Sequence, residues 1–520
     1  MRRTIAFAGP AIIYAAPRMK LPAPSSLGFL AALCLLRPTL AAETALPRAT
    51  PESQGISSAG IQTILDEQDA KKYGMHGLMI LRHGQVVAEG WWTPYTANEP
   101  HMLFSLSKSF TSTAIGLLQA EGRLNIHDKL ASFFPEDLPA DATANVKAMR
   151  LRDLLMMSTG QLKEDVDRLN DHLMANPEAT KKFFATPVPQ KPGTLFYYNS
   201  PGTYMLSATV TKVTGQTVRD YLTPRLFEPL GIPTPDWDLS VQGYNHGASG
   251  LHLRTEDVAK FGQLLLQRGE WNGRRLVPAD WIDLATSRQT SNGSDPDGDW
   301  DQGYGFQFWR CVPGFYRADG AFGQFCIVMP QYDTVVAITG GTKDTKGVMK
   351  LLWAKLIPEL RAAAIPENPA ALASLRQRLA NLTLPVTAGA ATSPLAAKIS
   401  GRKFTFEKNN LELESVSLDV AADGAVTFKA RRYGQDLGVS AGRGEWKKGA
   451  FLISRDGTPP VAVSGAWTTD DTYTIQLAQY GQPFLETFHL KFAGDTVVLD
   501  REMNCGPASD KPVSLTGKAL

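Results

Sequence analysis

Ser105-Leu106-Ser107-Lys108 sets an alcohol and an amine three residues apart. On a helix such residues share a face, so the two side chains can meet. A serine alcohol is a weak nucleophile at neutral pH until a neighbouring base takes its proton, and a lysine can be that base when burial or nearby positive charge lowers its pKa. If a helix starts here, its first backbone N–H groups face any negative charge developing on a carbonyl oxygen. Four-residue patterns with two common residues arise by chance in a chain of 520 residues, so the weight falls on what lies downstream. The stretch from Pro192 to Pro201 reads Pro-Gly-Thr-Leu-Phe-Tyr-Tyr-Asn-Ser-Pro, a turn entering a polar loop. A tyrosine there could share the base role or protonate a leaving group. From Arg317 to Gln324 the chain begins a strand whose glycines could admit a substrate backbone and donate a second N–H.

The elements that would position these groups are readable from periodicity. Phe110, Ala114, Leu117 and Leu118 recur at helical spacing, and Glu121-Gly122 ends the segment, which predicts a helix from Ser105 to Ala120. Ser57 to Lys71 reads as an amphipathic helix, and His76 to Trp92 as a hairpin around His83-Gly84-Gln85. Residues 124–288 alternate short helical patterns with Pro/Gly turns. Three β-rich runs follow, Gly305 to Trp309, Ala321 to Met329 and Thr334 to Thr339, and Val348 to Leu360 returns to helix. This order fits an α/β (α+β) architecture whose antiparallel sheet is assembled from both ends. Residues 363–400, rich in Ala and Pro with a short helical pattern near Ala370 to Leu379, read as a linker. Residues 401–520 carry short alternating segments between turns such as Ala422-Asp423-Gly424 and Ala493-Gly494-Asp495, as in an antiparallel barrel or sandwich, which is either an appended structural domain or a partial roof over the active site.

Composition narrows the function classes. With 53 Lys+Arg against 51 Asp+Glu, the formal charge of +2 supplies no basic field for nucleic acid. No apolar run reaches the roughly 18 residues of a membrane-spanning helix, so no integral membrane segment is expected in the mature chain. Lys20, the apolar stretch Leu27 to Leu36 and the small residues Thr39, Ala41 and Ala42 follow the order of a secretory signal, taken as residues 1–42. The expected location is outside the cytoplasm, in the periplasm. Translation starting at Met19 and a twin-arginine signal at Arg2-Arg3 remain alternatives for the first residues. Beyond that signal stand Cys311, Cys326 and Cys505, an odd number; a Cys311–Cys326 bridge and two buried free thiols are both open. No Cys/His cluster has zinc spacing, so no metal is expected, and an acyl-enzyme on Ser105 would require no cofactor.

Taken together, Ser105 to Lys108, Pro51 to Gly55, Leu154 to Gly160, Pro229 to Ile232 and Gly250 to Asp257 resemble the serine β-lactamase and penicillin-binding-protein-like superfamily. The likeness is to class C β-lactamases and their relatives among esterases, D-amino-acid peptidases and 6-aminohexanoate-dimer hydrolases, and it covers about residues 51–360. It implies a β-lactamase-like sheet flanked by helices with an all-helical subdomain, over residues 43–362. It also implies Ser105 as acylated nucleophile, Lys108 as general base, Tyr198 as the tyrosine of the second motif and Ser200 as its polar partner two places on. Gly320 and Ala321 would bind substrate on the third strand, and the backbone N–H groups of Ser105 and Ala321 would form the oxyanion hole. Tyr197 rivals Tyr198. Two positions depart from the β-lactamase pattern. Ala318-Asp319-Gly320 stands where those enzymes carry Lys-Thr-Gly, and Tyr198-Asn199-Ser200 where they carry Tyr-x-Asn. Without the cation, a substrate carboxylate loses its partner, and Asp319 would repel it unless Arg317 or Arg310 intervenes. The resemblance therefore implies an ester or small-amide hydrolase. A peptidase of linear or D-residue-containing peptides and an acylated receptor with little turnover are the alternatives.

Other residues invite a functional reading that their context weakens. Trp91, Trp92 and Tyr95 are either cleft walls or core. His101, beside Pro100, reads as a structural histidine, because no Gly-x-Ser-x-Gly elbow accompanies it. The alternating Asp295, Asp297, Asp299 and Asp301 lack the length and terminal Glu of a calcium loop and read as a solvated turn.

Overall fold

A computed structural model describes residues 45–171, 173–451, 459–506, 509 and 512–520. The expected signal segment lies outside the described residues. The described residues form one compact unit.

Ser57 caps helix α1 (Ser58–Lys71), its hydroxyl accepting from the Gly60 N–H at 3.2 Å. Strands β1 (Met75–Arg82) and β2 (Gln85–Trp91) form the expected hairpin. Helix α2 (Ser107–Ala120) follows a 3-10 turn, Phe104–Leu106, and is buried along nearly its whole length. After a run of short helices between Ala144 and Ala185 come helix α3 (Ser200–Thr214) and, after the short helix Val218–Leu222, helix α4 (Thr255–Leu266). The chain then returns to the sheet as β3 (Trp309–Arg310), β4 (Tyr316–Gly320), β5 (Gln324–Met329) and β6 (Thr334–Gly340). The antiparallel order is β2-β1-β6-β5-β4-β3, so the first hairpin pairs with the last strand, Leu78 opposite Ile338.

Both faces of this sheet are covered, which is why β1 is buried at every position instead of alternating. Met79 and Leu81 join the core shared with α2, α3 and α4. Leu78 and Ile80 join the opposite core, shared with α1 and Val348 to Leu360. Helix α5 (Pro369–Ala380), within residues 363–400, buries Leu375 in that second core and pairs Arg378 with Asp69.

Two β assignments shift by local backbone geometry. Gly305 to Phe308 are not strand: Gln307 has φ +68° and its N–H donates to the Leu155 carbonyl, so only Trp309–Arg310 pair with β4. Ala321, Phe322 and Gly323 form the β4–β5 turn, with φ +66° at Phe322 and +92° at Gly323, and strand resumes at Gln324.

The C-terminal part is a nearly closed ten-stranded antiparallel barrel. One meander runs from Phe404–Thr405 to Gln435–Ala441 and another from Lys447–Ala450 to Val513–Ala519; they join where Phe404 pairs with Ala519. Gly442 closes the opposite seam, its N–H donating to Val463 and its carbonyl accepting from Gly465. The barrel touches the sheet domain beside the nucleophile turn. There the Met102 N–H donates to the Gly481 carbonyl at 2.8 Å and the Tyr95 hydroxyl to the Gln482 carbonyl at 3.1 Å.

Candidate functional site

Ser105 occupies the 3-10 turn that feeds α2, and Lys108 lies in the first turn of the helix proper. Their spacing brings Lys108 Nζ to 3.0 Å from Ser105 Oγ. Lys108 is 1% exposed, and its amine has two further neighbours, the Ala248 carbonyl at 2.8 Å and Ser200 Oγ at 3.1 Å. Burial is the cause that lowers its pKa, from the usual lysine range to about 7. A neutral amine has two N–H bonds and one lone pair. With the two hydrogens donated to Ala248 and Ser200, the lone pair is left to accept the Ser105 hydroxyl.

Tyr198 closes the other side. Its ring centroid is 4.8 Å from Lys108 Nζ and 5.4 Å from the Trp309 ring, nearly parallel to it. Burial raises the phenol pKa, against a smaller opposing contribution from its hydrogen bond with Ser105, so the group keeps its proton at neutral pH. Tyr197 points elsewhere: its hydroxyl donates to Asp167 at 3.2 Å and Lys163 lies over its ring. The geometry thus separates the two candidates.

Between Tyr198 and Ser200, Asn199 is fully buried and caps α3. Its Oδ1 accepts from the Gly202 N–H at 2.7 Å, and its Nδ2 donates to Thr159 and Gln161. That cap places Ser200 at the helix start, facing Lys108. Gln307 holds the two helices in register. Ser109 on α2 donates to its carbonyl at 2.7 Å, Thr203 on α3 donates to its Oε1 at 2.8 Å, and its own Nε2 donates to the carbonyls of Leu154 and Leu155.

Gly320 ends β4 against the nucleophile segment. A Cβ there would stand 2.1 Å from the Leu103 carbonyl, so only glycine permits this approach. Ala321 follows in the exposed turn, and both residues line a cavity of about 520 Å³ with Ser105 and Tyr198. Trp300, Trp309 and Phe322 supply its aromatic walls. By contrast, Trp92 and Tyr95 are buried in the core beneath the sheet, and Trp91 packs against the opposite core.

Trp300 escaped the sequence reading because it sits among the aspartates of a turn that looked solvated. That reading needs correction at Asp299, which is 2% exposed and accepts from the Val312 N–H at 3.0 Å and Trp353 Nε1 at 2.9 Å. The missed signal was the aromatic density of residues 300–309, where Tyr304, Phe306 and Phe308 stand between Trp300 and Trp309. Asp319 also lines the cavity, with Arg317 Nε donating to its carboxylate at 2.9 Å. Arg317 is wholly buried, and its Nη1 donates to the Asp299 carbonyl at 3.0 Å. Burial raises the Asp319 pKa while Arg317 pulls it back. Arg310 is turned to the Thr286 and Gly314 carbonyls.

His101 lies under the nucleophile turn, bonded to His76 at 3.1 Å, with burial lowering its pKa to about 4. Cys311, Cys326 and Cys505 are buried free thiols. Among the described residues no group of three or more His, Cys, Asp or Glu converges as a metal site, and no helix is long and apolar enough to cross a membrane.

The arrangement can take a proton from a serine, offer backbone N–H groups beside it, and return a proton from a phenol. A family model described as Beta-lactamase matches residues 61–353. The 6-aminohexanoate-dimer hydrolase of Paenarthrobacter ureafaciens is 24% identical over 336 residues, 60% of this chain and 85% of that protein. Penicillin-binding protein 4 of Amycolatopsis lactamdurans is 26% identical over 323 residues, 54% and 82% of the two chains. Among solved structures, a candidate 6-aminohexanoate-dimer hydrolase from Bacillus anthracis superposes with a TM-score of 0.50 at 19% identity, covering 62% of this chain and 89% of that one, a likeness of fold.

Proposed function

The chain belongs to the Beta-lactamase family, whose members by fold are serine hydrolases, and from that premise we propose that it cleaves a carboxylic ester or small amide through an acyl-enzyme on Ser105. The observation that carries this reading is the buried Lys108 amine, 3.0 Å from the Ser105 hydroxyl with its pKa near 7. As Ser105 Oγ attacks the carbonyl carbon, its proton passes to Lys108 Nζ. The oxyanion is held by the backbone N–H groups of Ser105 and Ala321. When the tetrahedral intermediate collapses, Tyr198 gives its proton to the departing alkoxide or amine and is reprotonated from Lys108. Water, deprotonated by the same amine, then releases the acid and restores Ser105. Ser200 orients the amine, and Gly320 admits the substrate.

The balance favours ester and small-amide substrates over β-lactams, because Ala318 is buried where a lysine would meet a carboxylate and Arg317 is paired with Asp319. Ser105→Ala should abolish turnover and fluorophosphonate labelling; labelling at the wild-type level would place the nucleophile elsewhere. Intact-mass detection of acyl adducts across activated esters, lactams, aminohexanoate oligomers and D-residue peptides would define the acyl group. The likeness to a penicillin-binding protein supports a second reading, a receptor that stays acylated, and a stoichiometric burst without turnover would mark it. Export to the periplasm completes the proposal, supported by the charged, apolar and small-residue order of residues 20–42, and the mature N-terminus of the secreted protein tests it.

A further inference from the structure

Phe104 and Phe322 flank the two proposed oxyanion donors, one just before Ser105 and the other just after Ala321. Both adopt left-handed backbone, φ +49° and +66°. Bulky L residues rarely do so, and such a conformation persists only where the surroundings over-determine it. Here the surroundings are aromatic. The two rings meet edge to face with centroids 5.2 Å apart and planes at 88°. A third ring, Phe484, touches both, at 6.3 Å and 86° from Phe104 and at 5.8 Å and 62° from Phe322. All three are half-buried, and Phe322 itself lines the cavity, so filling a core is not their main task.

Phe484 comes from the barrel, in the turn between strands Thr472–Ala478 and Leu485–Ala493. That turn is fastened to the sheet domain on both sides of the ring. Gly481 and Gln482 accept from Met102 and Tyr95, while Asn504 Nδ2 bridges the carbonyls of Pro483 and Gly341 at 2.8 Å each. A ring so anchored resists relaxation of either left-handed residue. We infer that Phe484 is a positioning residue through which the C-terminal barrel holds the Ser105 and Ala321 backbone N–H groups aimed at one oxygen. The inference rests on the acyl-enzyme reading above. It also makes the barrel, which lies outside the matched residues 61–353, part of the catalytic apparatus.

The test is transition-state binding measured against ground-state binding in the full-length protein, using a turned-over activated ester and a boronic acid as tetrahedral-adduct probe. Phe484→Ala should lower kcat by about 10–100-fold, the scale of a displaced catalytic group, while KM stays within about threefold. Boronate affinity should fall by the same factor as kcat, and the apparent pKa near 7 should not move, because Lys108 is untouched. Phe484→Tyr, which keeps the ring, should restore activity to within about threefold of wild type. Phe484→Leu, which keeps apolar bulk and secures folding, should show the loss of Phe484→Ala in kcat and boronate affinity at reduced size. In a Phe322→Gly background, where glycine takes a positive φ freely, removing Phe484 should cost less than it does in wild type. Wild-type kcat and boronate affinity in Phe484→Ala and Phe484→Leu, or an equal loss in both backgrounds, would overturn the inference. Turnover surviving in Ser105→Ala would instead overturn the acyl-enzyme reading.

Discussion

The amine of Lys108 donates to the backbone carbonyl of Ala248 at 2.8 Å, and burial alone sets its pKa, with no carboxylate acting on it. A dipole satisfies one hydrogen without stabilising the ammonium as an anion would, so the amine is a base at neutral pH.

The first prediction follows from that pKa. Activity should rise with pH along a limb with apparent pKa about 7, as Lys108 loses its proton, and Lys108→Arg should abolish turnover because a guanidinium does not deprotonate in this range. Lys108 also titrates lower in the folded protein than in the unfolded chain, which therefore binds more protons between pH 7 and the ordinary lysine value. Stability should climb with pH across that window. Lys108→Met should remove the slope and be more stable than wild type at pH 6, while inactive. Pairing kcat/KM profiles with thermal unfolding at several pH values checks both signs.

The two adjacent tyrosines should part sharply. Tyr198→Phe removes the phenol beside Ser105 and should cut kcat by about 10²–10⁴-fold, the usual worth of general acid–base help. Tyr197→Phe removes only an exposed bond to Asp167 and should leave kcat/KM within about twofold. Steady-state kinetics on one ester decides it, and a reversed order would move the proton donor to the outer ring.

Gly320→Ala tests the approach of β4 to the nucleophile turn. The added methyl meets the Leu103 carbonyl, a backbone atom that cannot rotate away. The strand must retreat, at a cost of about 1–3 kcal/mol in stability, as for other overpacked sites. Turnover should fall more than tenfold, since about 1 Å of misplacement is enough for that. Urea unfolding and kcat on the same preparation separate the two effects.

Arg317→Met should strand the Asp319 carboxyl in the cavity wall. Removing one member of a buried pair commonly costs about 3–5 kcal/mol. Burial already holds the Asp319 pKa above the ordinary carboxylate value, and losing Arg317 raises it further. The unfolded chain then sheds this proton at lower pH than the folded protein does. The variant should therefore lose more stability at pH 8 than at pH 5, and Asp319→Asn in the same chain should recover part of the loss. Denaturant midpoints at the two pH values give the answer.

What the amino-acid order settled by itself was local. Ser105 and Lys108 meet because a helix repeats every 3.6 residues, and Phe110, Ala114, Leu117 and Leu118 announce that helix without outside help. The first hairpin and the antiparallel β character of the C-terminal part were legible for the same reason, since alternation and turn residues are properties of neighbours in sequence, whereas the choice of a ten-strand barrel over a sandwich was made by the pairing of distant strands. The sequence favoured Tyr198 and kept Tyr197 as its rival, because neighbouring residues do not show which ring turns inward; the Tyr198 ring lies 4.8 Å from Lys108 Nζ while the Tyr197 hydroxyl reaches Asp167. Asp299 looked solvated until the packing of Trp353 and Val312 enclosed it. Trp300 and Trp309 reach the cleft from segments distant from Ser105, and the left-handed residues Phe104 and Phe322 meet a ring, Phe484, from elsewhere in the chain. Such meetings depend on how whole layers stack, a balance summed over the molecule, and no stretch of neighbouring residues contains it.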